Sequence, residues 1–476
     1  MLQPVARRIA LAGIGEVGAK VVAFLPAAYL ARVAGPEGFG VLAYATAIIA
    51  QFILVVDFGL SVYGVRELAR GAAPARFTGE ILSVRFLLAI AAVVILFAAL
   101  PFIGKNPLES SVIASSGWLI LSFAAGLTWV FQGIEIMGVV ALAGTLTQIL
   151  YAGGVIAAVR GPEDIARVPV VQAAAEIGVA LYLLFLLARR GHLPQLGLGA
   201  ARARDILRAS FPLGVGRVLR VFLYSVDTLI LGALVAHETL GLFSAASRIV
   251  FALLTINVFL GTALLPRISR AKGEDSAIVS RLVTRLGYAT ATVTLPAALG
   301  ISLLARPIVA LLFGDEFEGA ATTLAIFAWA ILLIPLGENF RRILWAFDKQ
   351  AHDARSLAIA VVVKIALCFA LIPRFGVAGV AFAVVVSEFV LLALSMLDVR
   401  RAVIAFQFLS VLRAPIVAAL AMAAAVLPAR ALGVAPAIVI GAVVYIGALA
   451  LQRGIPEEIF ARTPRAPTNP EDEKPS

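Results

Sequence analysis

The stretch Leu30–Ile48, LARVAGPEGFGVLAYATAI, returns as Leu231–Ile249, LGALVAHETLGLFSAASRI, without a gap and at a constant offset of 201. Leu30/Leu231, Glu37/Glu238, Gly40/Gly241, Ala45/Ala246 and Ile48/Ile249 are identical. The segment carrying Glu176 matches the one carrying Glu388 more weakly, at an offset near 212. Self-similarity of this kind implies a duplicated unit.

The chain around these copies is too apolar for water. Of its 476 residues, 62% are AVILMFWYC and only 14% are charged, with a mean hydropathy of +1.02. Soluble domains hold about 45–50% apolar and about 25% charged residues, so disordered, disulfide-rich and ordinary cytosolic classes are excluded together. Apolar stretches of about 20 residues recur about fourteen times. They are too long and continuous for barrel strands, so each is expected to be an α-helix. The fold expected is an all-α polytopic membrane protein of about fourteen transmembrane helices. Two six-helix lobes, residues 1–190 and 211–398, are joined by a basic linker, 191–210. Two further helices occupy 399–452, and 453–476 is a cytoplasmic, partly disordered tail. Six is even, so both lobes enter the membrane in the same sense and share a pseudo-twofold axis along its normal.

Counted from a cytoplasmic N-terminus, Lys and Arg number about 24 on the inner side and about 7 on the outer. Both termini are therefore expected in the cytoplasm. The formal charge of +11 follows from this asymmetry and from anionic lipid headgroups, without nucleic acid. Arg7 and Arg8 ahead of an apolar run imitate a secretory signal, but Glu16 and Lys20 interrupt it and further spans follow. Gly13, Gly15 and Gly18 spell GxGxxG inside a span with no preceding strand, which reads as helix packing rather than a dinucleotide site. With one cysteine, Cys368, three histidines, and neither GxxxxGK[ST] nor HExxH, no cofactor, metal or catalytic residue is expected.

Charges inside the spans carry the chemistry. Fourteen of them facing lipid would cost on the order of 40 kcal/mol, so they are expected to face protein or water. Arg85 and Arg342 lie near enough to a surface to snorkel. Arg217, Arg220, Tyr224 and Asp227 stand at i, i+3, i+7 and i+10, sharing one helical stripe. Guanidinium forks suit phosphate, and Arg248 on the next span adds a cation. Glu16 and Lys20 form an i, i+4 pair, with Glu16 opposite Arg217 in the repeat, and are placed toward the same cleft. The substrate-binding set is thus Lys20, Arg217, Arg220, Tyr224 and Arg248. Glu16, Asp227 and Glu388 are assigned to ion coupling. Asp57, Arg85 and the stripe Glu338, Arg341, Arg342 with Trp345 are assigned structural or gating roles.

Several segments resemble one family. They are YLARVAGPEGFGVLAYA at Tyr29–Ala45, DFGLSVYGVRELAR at Asp57–Arg70 and SVDTLILGALVAHETLGLFSAASRI at Ser225–Ile249. LPRISR at Leu265–Arg270, LLFGDEFEGAA at Leu311–Ala321 and LIPRFGVAGVAFA at Leu371–Ala383 follow in order. The chain is similar to the bacterial oligosaccharide-lipid flippases of the O-antigen or repeat-unit type, within the multidrug/oligosaccharidyl-lipid/polysaccharide exporter superfamily. That resemblance implies an inner-membrane carrier moving undecaprenyl-diphosphate-linked oligosaccharide to the periplasmic leaflet by alternating access. It implies, besides membrane lipids, a polysaccharide polymerase and a chain-length regulator as partners, and coupling to an ion gradient or membrane potential. Rival readings are a multidrug or small-molecule exporter, a peptidoglycan-precursor flippase, and a membrane polymerase or ligase. The short outer loops count against the enzymes, and an arginine-lined cleft counts against cationic drugs.

Overall fold

The computed structural model describes the backbone of residues 3–104, 106–197, 199–254, 276–404 and 409–452. Side chains are described for the same residues apart from 3–23, 215–217, 219, 220, 222–224, 276 and 409–411. All regular elements among the described residues are helical. The first half runs α1 (Gln3–Asp57), α2 (Leu60–Ala69), α3 (Pro74–Ile103), α4 (Pro107–Ala125), α5 (Thr128–Gly133), α6 (Met137–Ala158) and α7 (Arg167–Arg189). The second runs α8 (Ala200–Leu234), α9 (His237–Leu254), α10 (Ser276–Leu303), α11 (Ala305–Phe313), α12 (Ala320–Phe327), α13 (Ala330–Ala346) and α14 (Gln350–Ala402). Helices α15 (Leu409–Ala429) and α16 (Val434–Leu451) follow.

Ten helices among the described residues are long and apolar enough to cross a membrane, against about fourteen expected. Two of the ten are bent. Gly35 (φ 66°, ψ 179°) divides α1 and Gly376 (φ 52°, ψ −132°) divides α14, each into two arms. A positive φ is open to glycine because no Cβ meets the backbone, and Pro36 then removes a donor from the ladder. Leu87, Ile90 and Val94 on α3 and Val439, Val443 and Ile446 on α16 point away from the bundle. In water such faces would aggregate; here they meet lipid.

Helix α1 sits at the centre, packed on α3, α4 and α6 of its own lobe and on α8 and α9 of the other. Its crossing with α9 displays the duplication directly. A Cβ on Gly40 would lie 1.8 Å from the carbonyl oxygen of His237, and one on Gly241 would lie 1.9 Å from that of Pro36. Since Pro36 and His237 are themselves repeat mates, the contacts are reciprocal, as a twofold relation requires. Around this crossing Phe39 packs on Phe313 and Phe317, with ring centroids 6.2 and 6.0 Å away. Arg32 caps α11 by donating to Leu311 O (2.6 Å) and Leu312 O (3.2 Å). Glu109 at the start of α4 meets His237 at the start of α9, Oε2 to Nε2 3.1 Å, in a buried contact between lobes.

At the opposite end, the rings of Phe58 and Phe211 meet at a tilt with centroids 5.5 Å apart, and Gly59 (φ 82°) lies against the backbone of Ser210 and Gly214. Stretch 191–210 is only partly a loop, because α8 begins at Ala200 and continues into the membrane. It is fastened to the first lobe: Gln195 N donates to Ala75 O (3.0 Å), Arg202 Nε donates to Glu80 Oε2 (2.9 Å), and Ile206 enters the core beside Leu60 and Phe131. The bond to Glu80 raises the Arg202 guanidinium above its usual value. Tail 453–476 and the basic residues Arg267, Arg270 and Lys272 lie outside the described residues.

Candidate functional site

Between the lobes, α1, α8 and α9 line an open cavity of about 410 Å³. Phe24, Ala47 and Ala50 of α1 face Ser225 and Thr228 of α8 and Ser247, Arg248 and Phe251 of α9. Thr46 on this wall is about 16 Å from both Gly35 and Asp57 at 1.5 Å per residue, so the cavity lies near mid-membrane. Small side chains hold the walls apart, and helical geometry supplies the rest. Repeat mates Ala45 and Ala246 are fully packed on the neighbouring face, which leaves Thr46 and Ser247, one residue on, turned to the cavity.

Arg248 is the cation of this wall. It is exposed although it stands midway along a helix at the lobe interface, and it lines the cavity. Its guanidinium lies 5.2 Å from the centroid of Phe39, a cation–π contact. No carboxylate among the described residues lies within ion-pair distance of it. A cation with no counter-ion among the described residues is a site of positive potential, able to take an anion.

The other expected site residues are distributed differently. Side chains of Glu16, Lys20, Arg217, Arg220 and Tyr224 lie outside the described residues, although the backbone of α8 is helical throughout their stripe. Asp227 on that stripe is buried and ion-paired with Lys364 of α14, Oδ2 to Nζ 3.0 Å. Glu388, also on α14, is buried with Oε1 lacking a hydrogen-bond partner. The structure therefore places Asp227 and Glu388 inside the second lobe, apart from the walls around Arg248.

Asp57 and Arg85 form a buried ion pair of 2.7 Å in the first lobe. Arg85 does not snorkel. It is 1% exposed, reaches Gly126 O (3.3 Å), and lies 5.5 Å from the ring of Trp129. Asp57 Oδ1 accepts from Ser61 N (3.2 Å) and from the Ser61 hydroxyl, capping the start of α2. Arg341 is clamped between Glu338 (2.7 Å) and Asp353 (2.5 Å), and Trp345 Nε1 donates to Asp353 Oδ2 (2.7 Å). Arg342 lies 3.9 Å from Glu338 and is partly exposed.

Two contacts had no local signal in the sequence, Lys364 with Asp227 and Glu109 with His237, because each joins helices remote in the chain. A third, Ser122 donating to Glu176 (2.6 Å), borders a separate polar cavity of about 380 Å³ inside the first lobe.

Comparison with known proteins agrees with this architecture. The family described as polysaccharide biosynthesis protein matches residues 5–272, and the MatE family matches 212–370. The chain is 23% identical over 387 residues to a protein named "Putative O-antigen transporter" from Escherichia coli (strain K12), covering 78% of this chain and 91% of that protein. Among solved structures it resembles the lipid II flippase MurJ in an inward closed conformation, with TM-score 0.79, 14% identity, and coverage of 95% and 100% of the two chains. It also resembles an inward-facing multidrug resistance MATE family transporter of the MOP superfamily, with TM-score 0.67, 15% identity, and coverage of 80% and 94%. At such identities these two likenesses concern the fold alone.

Proposed function

The chain belongs to the polysaccharide biosynthesis protein family, and from that premise we propose that it carries undecaprenyl-diphosphate-linked oligosaccharide from the cytoplasmic to the periplasmic leaflet by alternating access. It is a multi-pass membrane protein and a transporter of the flippase type rather than an enzyme. The observation that carries the cargo assignment is Arg248, accessible and without a carboxylate partner among the described residues, in a cavity between lobes near mid-membrane.

A diphosphate bearing sugars cannot cross hydrocarbon, whereas its polyprenyl tail has no need to leave lipid. A wet cavity with positive potential between helices serves the head while the tail stays outside. In this reading Lys20, Arg217 and Arg220 add charge to the Arg248 site and Tyr224 adds a polar aromatic wall. The Gly40/Gly241 crossing then marks the periplasmic end, the Asp57 end is cytoplasmic, and both termini are cytoplasmic in the inner membrane. Glu16, Asp227 and Glu388 are the carboxylates to which ion coupling is assigned. A polysaccharide polymerase and a chain-length regulator would receive the delivered units.

The test is a leaflet-exchange assay with the full chain in liposomes and a fluorescent prenyl-diphosphate oligosaccharide. Wild type is expected to expose the probe to the opposite leaflet, and the double variant Arg217→Ala/Arg220→Ala to lose that activity while inserting normally. Lys at both positions would retain part of it if positive potential suffices, and little if bidentate contacts are needed. Protein-dependent exchange no faster than empty liposomes overturns the proposal. The MatE match over residues 212–370 favours a second reading, export of small molecules. An arginine in the cavity with no carboxylate partner among the described residues opposes cationic cargo, and drug-dependent fluorescence changes in the same vesicles would decide for it.

A further inference from the structure

The cavity wall around Arg248 is rich in hydroxyls, with Thr46 on α1, Ser225 and Thr228 on α8, and Ser244 and Ser247 on α9. The direction of their hydrogen bonds limits what they can bind. Thr46 Oγ1 lies 2.7 Å from Leu42 O, Ser225 Oγ lies 2.8 Å from Val221 O, and Ser247 Oγ lies 2.8 Å from Phe243 O. A carbonyl oxygen has no hydrogen to give, so in each pair the hydroxyl is the donor. What remains toward the cavity is a lone pair. Ser225 already uses its oxygen as an acceptor, taking 2.9 Å from Gln51 Nε2.

Phosphate oxygens at neutral pH are acceptors and are not complemented by the Thr46, Ser225 and Ser247 hydroxyls, whose hydrogens are already given to backbone carbonyls. Arg248, a pure donor, complements them. Sugar rings carry O–H groups, and N–H groups where acetamido-substituted, which are the complement of the hydroxyl wall. We infer that the cavity divides the headgroup between two chemistries: Arg248 takes the diphosphate, and the acceptor wall of Thr46, Ser225 and Ser247 takes donor hydrogens of the sugar joined to it. The site thereby selects a first sugar with free O–H or N–H groups. This inference rests on the lipid-linked oligosaccharide reading above.

Three fluorescent short-chain prenyl diphosphates separate the possibilities in a binding titration on the purified full chain. One carries an N-acetylhexosamine, one carries the same sugar with its hydroxyls replaced by fluorine, and one carries no sugar. Fluorine keeps the size of the hydroxyl but removes its hydrogen. Wild type is expected to bind the first about tenfold or more tightly than the second. In Thr46→Val/Ser225→Ala/Ser247→Ala that preference should shrink to within about twofold. These near-isosteric changes leave the Leu42, Val221 and Phe243 carbonyls to their helical N–H partners, and an unaltered melting temperature confirms the fold. Arg248→Gln should weaken all three probes together. Equal binding of hydroxyl and fluoro probes by wild type, or a preference undiminished in the triple variant, overturns the inference while leaving the flippase reading intact. Failure of wild type to bind any of the three removes the cargo reading itself.

Discussion

In the first lobe Glu176 is answered by neutral groups. Ser122 donates to Oε2 at 2.6 Å and Gln172 to Oε1 at 3.1 Å, beside a polar cavity. In the second lobe its repeat counterpart Glu388 is 3% exposed, has one oxygen without a hydrogen-bond partner, and shares the interior with Lys364 and Asp227. Among the described residues each lobe also seals an ion pair of this kind, Asp57–Arg85 in the first and Asp227–Lys364 in the second. The duplication has thus kept the backbone crossing at Gly40 and Gly241 while letting the interior electrostatics of the two copies diverge. Packing between glycine and backbone cannot take a side chain without parting the helices, whereas a buried charge can be balanced by any partner the surrounding helices supply. A buried ion pair is the more brittle arrangement, because losing one member strands the other.

The largest expected effect tests that brittleness. Lys364→Met leaves Asp227 uncompensated at a site where the pair is at most 5% exposed, a loss of about 3–5 kcal/mol. Adding Asp227→Leu should restore most of it, since a well-packed apolar pair replaces a desolvated ionic one. Denaturant unfolding in detergent micelles measures both. Should the double variant stay as unstable as the single one, Lys364 is serving Glu388 as well, and the second lobe holds a three-membered network rather than a pair.

An intermediate effect is expected where the lobes cross. Gly40→Ala puts a methyl 1.8 Å from His237 O and Gly241→Ala puts one 1.9 Å from Pro36 O, so each must part the helices at a cost of about 1–3 kcal/mol. Reciprocity predicts similar losses for the two. Gly138→Ala, with open space around it on α6, should be neutral or slightly stabilising. Paired spin labels across the Gly35 ends of the lobes should report a longer distance in the first two variants only.

The sequence discloses these regions unequally. The two segments that cross were legible as copies, because one gapless offset sets Pro36 against His237 and Gly40 against Gly241; that the copies pack on each other is shown by the structure alone. The clamp between Glu338 and Arg341 was legible too, being i, i+3 on one helix. Helical spacing also put Asp227 on the stripe of Arg217, Arg220 and Tyr224. It could not show that Asp227 meets Lys364, since periodicity speaks only within a helix and Lys364 arrives on α14 from far along the chain. The same holds for Glu109 and His237, 128 residues apart. Arg248 was legible as an intramembrane cation, yet its accessibility depends on Thr46, Ser225 and Ser247 lining a common hollow, which is a property of three helices at once.

The smallest effect divides the two glutamates most finely. Glu176→Gln preserves an oxygen to accept from Ser122, and the new amide can meet Gln172 once that side chain turns its own oxygen inward. The change should cost less than about 1 kcal/mol. Glu388→Gln alters a carboxyl that is buried with one oxygen lacking a hydrogen-bond partner, in an interior shared with Lys364 and Asp227 where no solvent can substitute, and should cost more, on the order of 1–2 kcal/mol. Unfolding midpoints of the two variants, compared with wild type under one denaturant, decide the matter. Equal losses would mean that Glu176 depends on its charge as Glu388 does, so that the neutral partners of the first lobe are no substitute for a cation.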